Sequence, residues 1–337
     1  MKKPLISIIV PCYNREQYIE KCLKSLLHQT MSEIEVVFVD DGSTDSSLQI
    51  AKRLQKNDPR LKIHTGKNRG VAIARNIGLK NSRGQYIMAC DSDDFFEPNM
   101  CQRMYRTIVD EKVDCVICAM KVIHTNKNSL GRGTDEYVKL KFKGKQIIDW
   151  NKIIHTDVSI PNKIFKKSII DKYHISYPEG LLFEDAFFCD QYFTVSKTIF
   201  YLDEKLYNYV RHDESIMSQS FSKKGGQAAD YMKIADKTYA FLQKNQLFDK
   251  YIDFFWHRFI QYYAFARDNL RGKDFTKMRK EALDFIATHQ AALDQASPHI
   301  KRDTLNLIKR TSKTKDRLRK ITPPIIKRVI RKITSYS

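Results

Sequence analysis

The stretch that most constrains the fold of this chain runs from Gly84 to Pro98. From Tyr86 to Cys90 it is apolar on both faces, as a strand inside a parallel sheet would be, and it then enters Asp91, Asp93 and Asp94. A core has no use for three carboxylates at a strand end, because buried carboxylates must be paired or bind a cation. In an extended segment the acids of Asp91-Ser92-Asp93 project to the same side. They would offer hard oxygen ligands to Mg2+ or Mn2+ and leave positions open for the phosphates of a ligand. The bland alternative is a solvated turn after a strand, and these residues alone do not separate the two.

The preceding residues supply the context. Residues 5–10 are rich in Ile and Val and read as a buried strand. Pro11-Cys12-Tyr13-Asn14 breaks it, and residues 16–29 then carry apolar side chains at helical spacing: Tyr18, Ile19, Cys22, Leu23, Leu26 and Leu27. A second strand over 35–39 ends in Asp40-Asp41-Gly42-Ser43-Thr44-Asp45, where Ser43 or Thr44 is expected to cap a helix over 46–55. A third strand over 61–64 leads through Asn68-Arg69-Gly70 into a helix over 71–79. Four such alternations predict an α/β fold with a parallel sheet and right-handed crossovers. Polar clusters follow strands one, two and four at their C-terminal ends, where open α/β sheets bind ligands. A dinucleotide-binding Rossmann domain is disfavoured, because no G-x-G-x-x-G follows the first strand.

The rest of the composition narrows the classes. The 337 residues suit one large domain with an appended module. No apolar run approaches the roughly 18–20 residues that span a bilayer, and Leu5–Val10 is too short for a signal-peptide core, so export is not expected. Seven scattered cysteines do not form a secreted disulfide framework. Cys115 and Cys118 sit in an apolar strand, point to opposite faces and have no second pair nearby to complete a zinc site. The net charge is +20, and residues 301–337 contribute +11 of it, from thirteen Lys/Arg against two Asp. Such an end meets nucleic acid or an anionic membrane surface.

Four segments then occur in order and at matching spacing: Ile6–Asn14, Val39–Asp45, Gly70–Gly78 and Asp91-Ser92-Asp93-Asp94. Together they resemble the family-two glycosyltransferases of GT-A fold, of the type that builds bacterial cell-surface polysaccharides such as capsule and exopolysaccharide. The resemblance implies a Rossmann-like, mostly parallel central sheet flanked by helices. It also implies a metal-dependent, inverting transferase using a nucleotide sugar, with a UDP-sugar as the expected donor. Carried over residue by residue, Pro11 and Asp41 would sit against the nucleotide base and ribose, and Asn68 and Arg75 would help hold the nucleotide. Asp91-Ser92-Asp93 would be the DxD motif, with Asp91 near the ribose or metal and Asp93 a direct ligand of Mn2+ or Mg2+. The chemistry agrees, since a cation offsets diphosphate charge and stabilises the departing nucleoside diphosphate. The plain alternative for Arg75 is a surface helix residue. Asp40 and Asp45 read as turn and cap residues, and Asp94 as structural.

Downstream, residues 121–145 read as a loop or exposed hairpin, and 99–220 as the acceptor side. Glu184-Asp185 follows an apolar run and opens a helical segment, where acids suit the helix dipole. By the resemblance, Asp185 is also the catalytic base, taking the acceptor hydroxyl's proton, with Glu184 positioning or tuning it. In Tyr207–Met217, Arg211 is the candidate phosphate contact, by its bidentate geometry, and His212 a candidate third metal ligand or plain polar surface. From Gly226 the chain reads as helical, with segments over 231–242, 251–270 and 277–293. The Phe254, Phe255, Phe259, Tyr262, Tyr263 and Phe265 stripe is most simply helix packing; an acceptor or homodimer surface is the sharper alternative. The absence of a Gln-x-x-Arg-Trp motif and of membrane spans argues for a non-processive enzyme. Beyond Pro323-Pro324, Ile325, Ile326, Val329, Ile330 and Ile333 share one helical face and Lys327, Arg328, Arg331 and Lys332 the other, the pattern of an interfacial helix.

The expected organisation is a GT-A domain over 1–220, a helical extension over 221–300 and a basic amphipathic tail over 301–337. The expected partners are a nucleotide-sugar donor, a glycan or lipid-linked acceptor and, through the tail, the cytoplasmic face of the cell membrane, with no nucleic acid. The rivals are a nucleotidyltransferase on a similar sheet, which lacks its Gly-rich basic loop here, and a basic nucleic-acid-binding protein, which leaves the acidic motifs unexplained.

Overall fold

The computed structural model of the protein describes residues 3–124, 137–138, 140–181, 184–212, 230–270 and 272–310. Residues 323–337 of the tail and residues 125–136 of the expected hairpin lie outside the described residues. The chain divides into two compact units, Met1–Ser215 and Ile216–Ser337.

The first unit is built on one sheet. Strands β1 (Ile6–Cys12), β2 (Ile34–Asp40), β3 (Leu61–Thr65) and β4 (Tyr86–Ala89) are parallel in the order β3-β2-β1-β4. Helices α1 (Ile19–Leu27), α2 (Ser47–Gln55) and α3 (Val71–Asn81) connect them. Every residue of β1 and β2 is buried, which is why both read as unbroken apolar runs. Helix α1 buries Ile19, Cys22, Leu23, Leu26 and Leu27 on one face, and burial of each large aliphatic side chain contributes about 1.5–3 kcal/mol.

The remaining strands make the sheet mixed. These are β5 (Phe95–Phe96), β6 (Cys115–His124), β7 (Tyr137–Val138), β8 (Gly144–Ile147), β9 (Lys163–Lys166) and β10 (Thr198–Arg211). β9 is antiparallel to both β4 and β6 and lies between them. β10 runs parallel to β6 and antiparallel to β5 and β8. Helices α4 (Met100–Asp110), α5 (Trp150–His155), α6 (Lys167–Tyr173) and α7 (Glu184–Val195) complete the unit.

Several local details differ from the expectations. Residues 121–124 extend β6, which pairs antiparallel with β7 as the hairpin alternative expects, and Gly144–Ile147 form β8. Neither Ser43 nor Thr44 caps α2. The Ser47 N–H donates to Asp45 Oδ1 at 2.9 Å and the Ser46 N–H to Glu16 Oε2 at 2.9 Å. Ser43 Oγ instead accepts the Asn14 N–H at 3.0 Å, so the loops after β1 and β2 are tied to each other. That cross-tie explains why α1 begins at Ile19 rather than Glu16, whose N–H is held by Asp45 at 3.0 Å. The seven cysteines are buried free thiols, and burial pushes Cys115 and Cys118 well above the ordinary thiol range.

Gly84 fixes how β4 enters the sheet. A Cβ there would stand 2.6 Å from the Ser7 backbone nitrogen and 2.7 Å from the Ile6 carbonyl carbon. Backbone cannot yield as a side-chain tip can. Gly84→Ala is therefore expected to destabilise the chain by about 1–3 kcal/mol, read as a lowered midpoint of denaturant unfolding. An unchanged midpoint would show that β4 shifts freely.

The second unit is helical: α8 (Asp230–Lys244), α9 (Ile252–Asn269), α10 (Gly272–Thr288), α11 (Gln290–Gln295) and α12 (Pro298–Arg310). The aromatic stripe lies on α9 and is spent on packing. Phe259 stacks on Phe285 of α10 at 5.2 Å between ring centroids, and Phe255 lies 5.9 Å from the same ring. No described helix is long and apolar enough to cross a membrane.

Candidate active site

Arg75 is the hub. It sits one turn into α3, with 4% of its side chain exposed, and forks to three carboxylates from distant parts of the chain. One terminal nitrogen donates to Asp91 Oδ1 at 2.8 Å; the other donates to Glu184 Oε1 at 2.7 Å and to Asp185 Oδ1. The guanidinium lies 5.5 Å from the Tyr177 ring centroid, and Tyr177 is stacked on Phe188 of α7. Asn76 fixes this neighbour by a reciprocal pair, its amide donating to the Tyr177 carbonyl at 3.0 Å and its oxygen accepting the Tyr177 N–H at 2.8 Å. The first turn of α7 supplies Glu184 and Asp185, where acids also suit the helix dipole.

One cation against three acids leaves the cluster net negative if all three are ionised. Asp185 responds most. Burial pushes its carboxyl up to about 7; Arg75 pulls it down, while Glu184 and Asp91 push it further up. Burial and the neighbouring Asp93 also raise Asp91, against the pull of Arg75. The Asp185 side chain keeps 26% of its surface exposed, so a ligand hydroxyl can reach it.

Asp93 faces a second cluster. Its Oδ2 lies 2.9 Å from His212 Nε2 and 3.6 Å from Arg15 Nε. His212 is buried and stacks on Tyr18 with centroids 4.6 Å apart. Asp94 turns inward instead. It accepts the Tyr207 hydroxyl and, at 2.7 Å, the Val210 N–H, which pins the acidic turn to β10. Burial, with Asp91 and Asp93 adding to it, pushes Asp94 well above the usual carboxylate range.

The other candidates gather at the same C-terminal edge of the parallel strands. Pro11 is buried near the end of β1, opposite Val39. Asp41 follows β2, and its two oxygens accept the Arg69 and Gly70 N–H groups at 2.8 Å each, so it fastens the start of α3. Each oxygen keeps a lone pair. Asn68 is exposed on the loop above Gly42, whose φ of +77° and missing Cβ let that loop approach. Ser92 is buried beside the Cys12 thiol. Arg211 closes β10 as an exposed residue 5.8 Å from the Tyr209 ring. Arg75 is not a surface helix residue, and its charge is engaged by acids. The sequence reading missed Arg15, Tyr18 and Tyr177; only their proximity to motifs pointed to them.

Among the described residues, no three of His, Cys, Asp and Glu converge as a closed metal cage. The residues fit an open site better. Asp91 and Asp93 supply hard oxygens, a cluster with excess negative charge calls for a cation, and Mg2+-type sites use one or two carboxylates plus ligand phosphates.

The comparisons agree with this architecture. Residues 7–174 match the family model for glycosyl transferase family 2. EpsH of Bacillus subtilis (strain 168), named as a glycosyltransferase, is 34% identical over 265 residues, covering 74% of this chain and 73% of EpsH. The glycosyltransferase GlyG of Streptococcus pneumoniae serotype 4 is 30% identical over 226 residues, covering 64% of this chain and 74% of GlyG. Among solved structures, S. aureus TarS 1–349 in complex with UDP-GlcNAc superposes with a TM-score of 0.71 at 22% identity, covering 90% of this chain and 89% of that one, which shows a shared GT-A fold. A parallel sheet with an acidic turn at the end of β4, a family match through that turn and a relative similar over most of both chains lead to one conclusion: the chain belongs to glycosyl transferase family 2 and is a glycosyltransferase.

Proposed function

We propose that the protein transfers a sugar from a UDP-sugar to a hydroxyl of a cell-surface glycan or lipid-linked acceptor, non-processively and with inversion. The observation that carries this reading is the Arg75 fork, which joins the acid of the leaving-group side, Asp91, to the candidate base, Asp185. The UDP moiety is suggested by the fold shared with a TarS structure that holds UDP-GlcNAc, and the acceptor class by the polysaccharide-building family.

Asp185 accepts the proton of the acceptor hydroxyl as that oxygen bonds to the anomeric carbon. The bond between the anomeric carbon and the β-phosphate oxygen breaks, and the diphosphate departs. A single displacement turns an α-linked donor into a β-linked product. Asp91 and Asp93, with His212 adjacent, would hold Mn2+ or Mg2+, which supplies charge neutralisation to the diphosphate. Pro11, Asp41 and Asn68 border the nucleoside, and Arg211 the phosphates. Arg75 keeps Asp185 oriented and Glu184 beside it.

Purified protein with Mn2+ and a panel of nucleotide sugars should slowly release nucleoside diphosphate, and EDTA should abolish the release. If no donor is bound or turned over with any divalent cation, this reading fails. The composition of residues 323–337 supports peripheral membrane association through basic residues that each contribute about 1 kcal/mol near an anionic leaflet. Deleting them should move the protein from the membrane to the soluble fraction on cell fractionation; an unchanged distribution would refute that role.

A further inference from the structure

Each carboxylate of the Asp91 and Asp93 pair has its own arginine, and the two arginines are held differently. Arg75 is buried and committed to three acids at once. Arg15 lies on the loop after β1, and its side chain is 17% exposed. Among the described residues its one ion pair is with Asp93, at 3.6 Å from Nε to Oδ2, a meeting of charges without a hydrogen bond. Of the five N–H donors of a guanidinium, one on Nη1 goes to the neighbouring Asn14 carbonyl at 2.9 Å. Nothing in the reaction outlined above uses Arg15.

The backbone under this side chain is fixed. The Arg15 N–H donates to Ser47 Oγ at 2.8 Å. Asn14 sits at φ +51°, donates its N–H to Ser43 Oγ at 3.0 Å and accepts the Thr44 N–H at 2.8 Å. The loops after β1 and β2 therefore hold the root of Arg15 beside the acidic turn and leave its head to exchange partners. The other group on Asp93, His212, is buried and stacked on Tyr18, so it stays in place. The exchangeable positive charge at Asp93 is that of Arg15.

A divalent cation approaching Asp93 is attracted by the carboxylate and repelled by the guanidinium beside it. A diphosphate changes the balance. Its oxygens complete the coordination of an Mg2+-type ion, and they offer the guanidinium a bidentate partner of its own. We propose that Arg15 is a counter-ion that couples the two ligands: it occupies Asp93 while the nucleotide site is empty and turns to the diphosphate when a nucleoside diphosphate binds, so that cation and nucleotide bind cooperatively. This rests on Asp91 and Asp93 being the metal side of the reaction. By linkage, the cation tightens the nucleotide by the same factor as the nucleotide tightens the cation.

The test measures Mn2+ binding to the whole chain, with and without UDP, from the electron paramagnetic resonance of the free ion. In the native chain UDP should tighten Mn2+ about 5- to 150-fold, the usual range of coupling between two ligands. In Arg15→Met, Mn2+ should bind the UDP-free protein about fivefold or more tighter than it binds the native chain, and UDP should then tighten it less. Arg15→Lys keeps the charge and should stay near the native UDP-free affinity. A merely structural role moves the reading the other way, since a misplaced Asp93 holds Mn2+ less well. UDP-free Mn2+ affinity that is unchanged or weaker in Arg15→Met overturns the proposal and leaves the metal side standing; if that variant does not fold, Arg15→Gln decides by the same reading. No Mn2+ binding to the native chain, with or without UDP, would overturn the metal assignment itself and this proposal with it.

Discussion

Asp185→Asn is expected to lower kcat by about 10²- to 10⁴-fold, the range for removing a general base, while leaving donor binding intact. Asn is nearly the same shape and can still accept from Arg75, so the site should keep its form. The native enzyme should also lose activity as pH falls. Its carboxyl is held up to about 7, chiefly by burial, and a base works only when ionised, so the rate should rise with pH through about 7 and level off above it. Donor binding by calorimetry and single-turnover transfer separate the two effects. Native-like kcat in the Asn variant would move the base elsewhere, and lost donor binding would reassign Asp185 to the donor side.

Arg75→Met should be the most destabilising single change in the site. Asp91, Glu184 and Asp185 share this one buried cation. Removing one member of a buried ion pair typically costs about 3–5 kcal/mol, because the partners remain buried and uncompensated. Arg75→Lys should rescue little, since a single ammonium cannot reproduce a planar fork that reaches three carboxylates. Denaturant unfolding at neutral pH measures the loss. The loss should shrink at low pH, where the acids are protonated and repel less. A Met variant as stable as the native chain at neutral pH would show that the fork orients the acids without stabilising the fold.

The two substitutions probe different parts of one cluster. Asp185→Asn removes chemistry and keeps geometry; Arg75→Met removes the charge that lets the acids approach one another. Asp94 stands apart from both, since its carboxyl is turned into the fold by Tyr207 and Val210.

Much of this was legible in the chain itself. The four parallel strands announce themselves because strands buried on both faces must be continuously apolar, and their helices because amphipathic spacing is local. The DxD motif and Glu184-Asp185 could be named through the resemblance to the family, since each acidic run taken alone also reads as a turn or a helix start. Which acids share a partner was not legible. Arg75 read as a nucleotide contact or a surface residue, since its partners lie 16, 109 and 110 positions away. The burial of Lys163 was not legible either, because a lysine next to an apolar run ordinarily sits in water.

The same division holds for the fold. β9 is four residues long and lies antiparallel between β4 and β6, so its place depends on strands roughly eighty and fifty positions upstream. Pairing across such separations leaves no period in the sequence. The sequence by itself determined the parallel half of the sheet, the acidic turn at the end of β4 and the family, because each rests on patterns a few residues long. Only the tertiary structure decided that Asp91, Glu184 and Asp185 meet on one guanidinium and that Asp94 faces inward. Charges buried far from water must find partners, and which partners are within reach is settled by packing rather than by spacing along the chain.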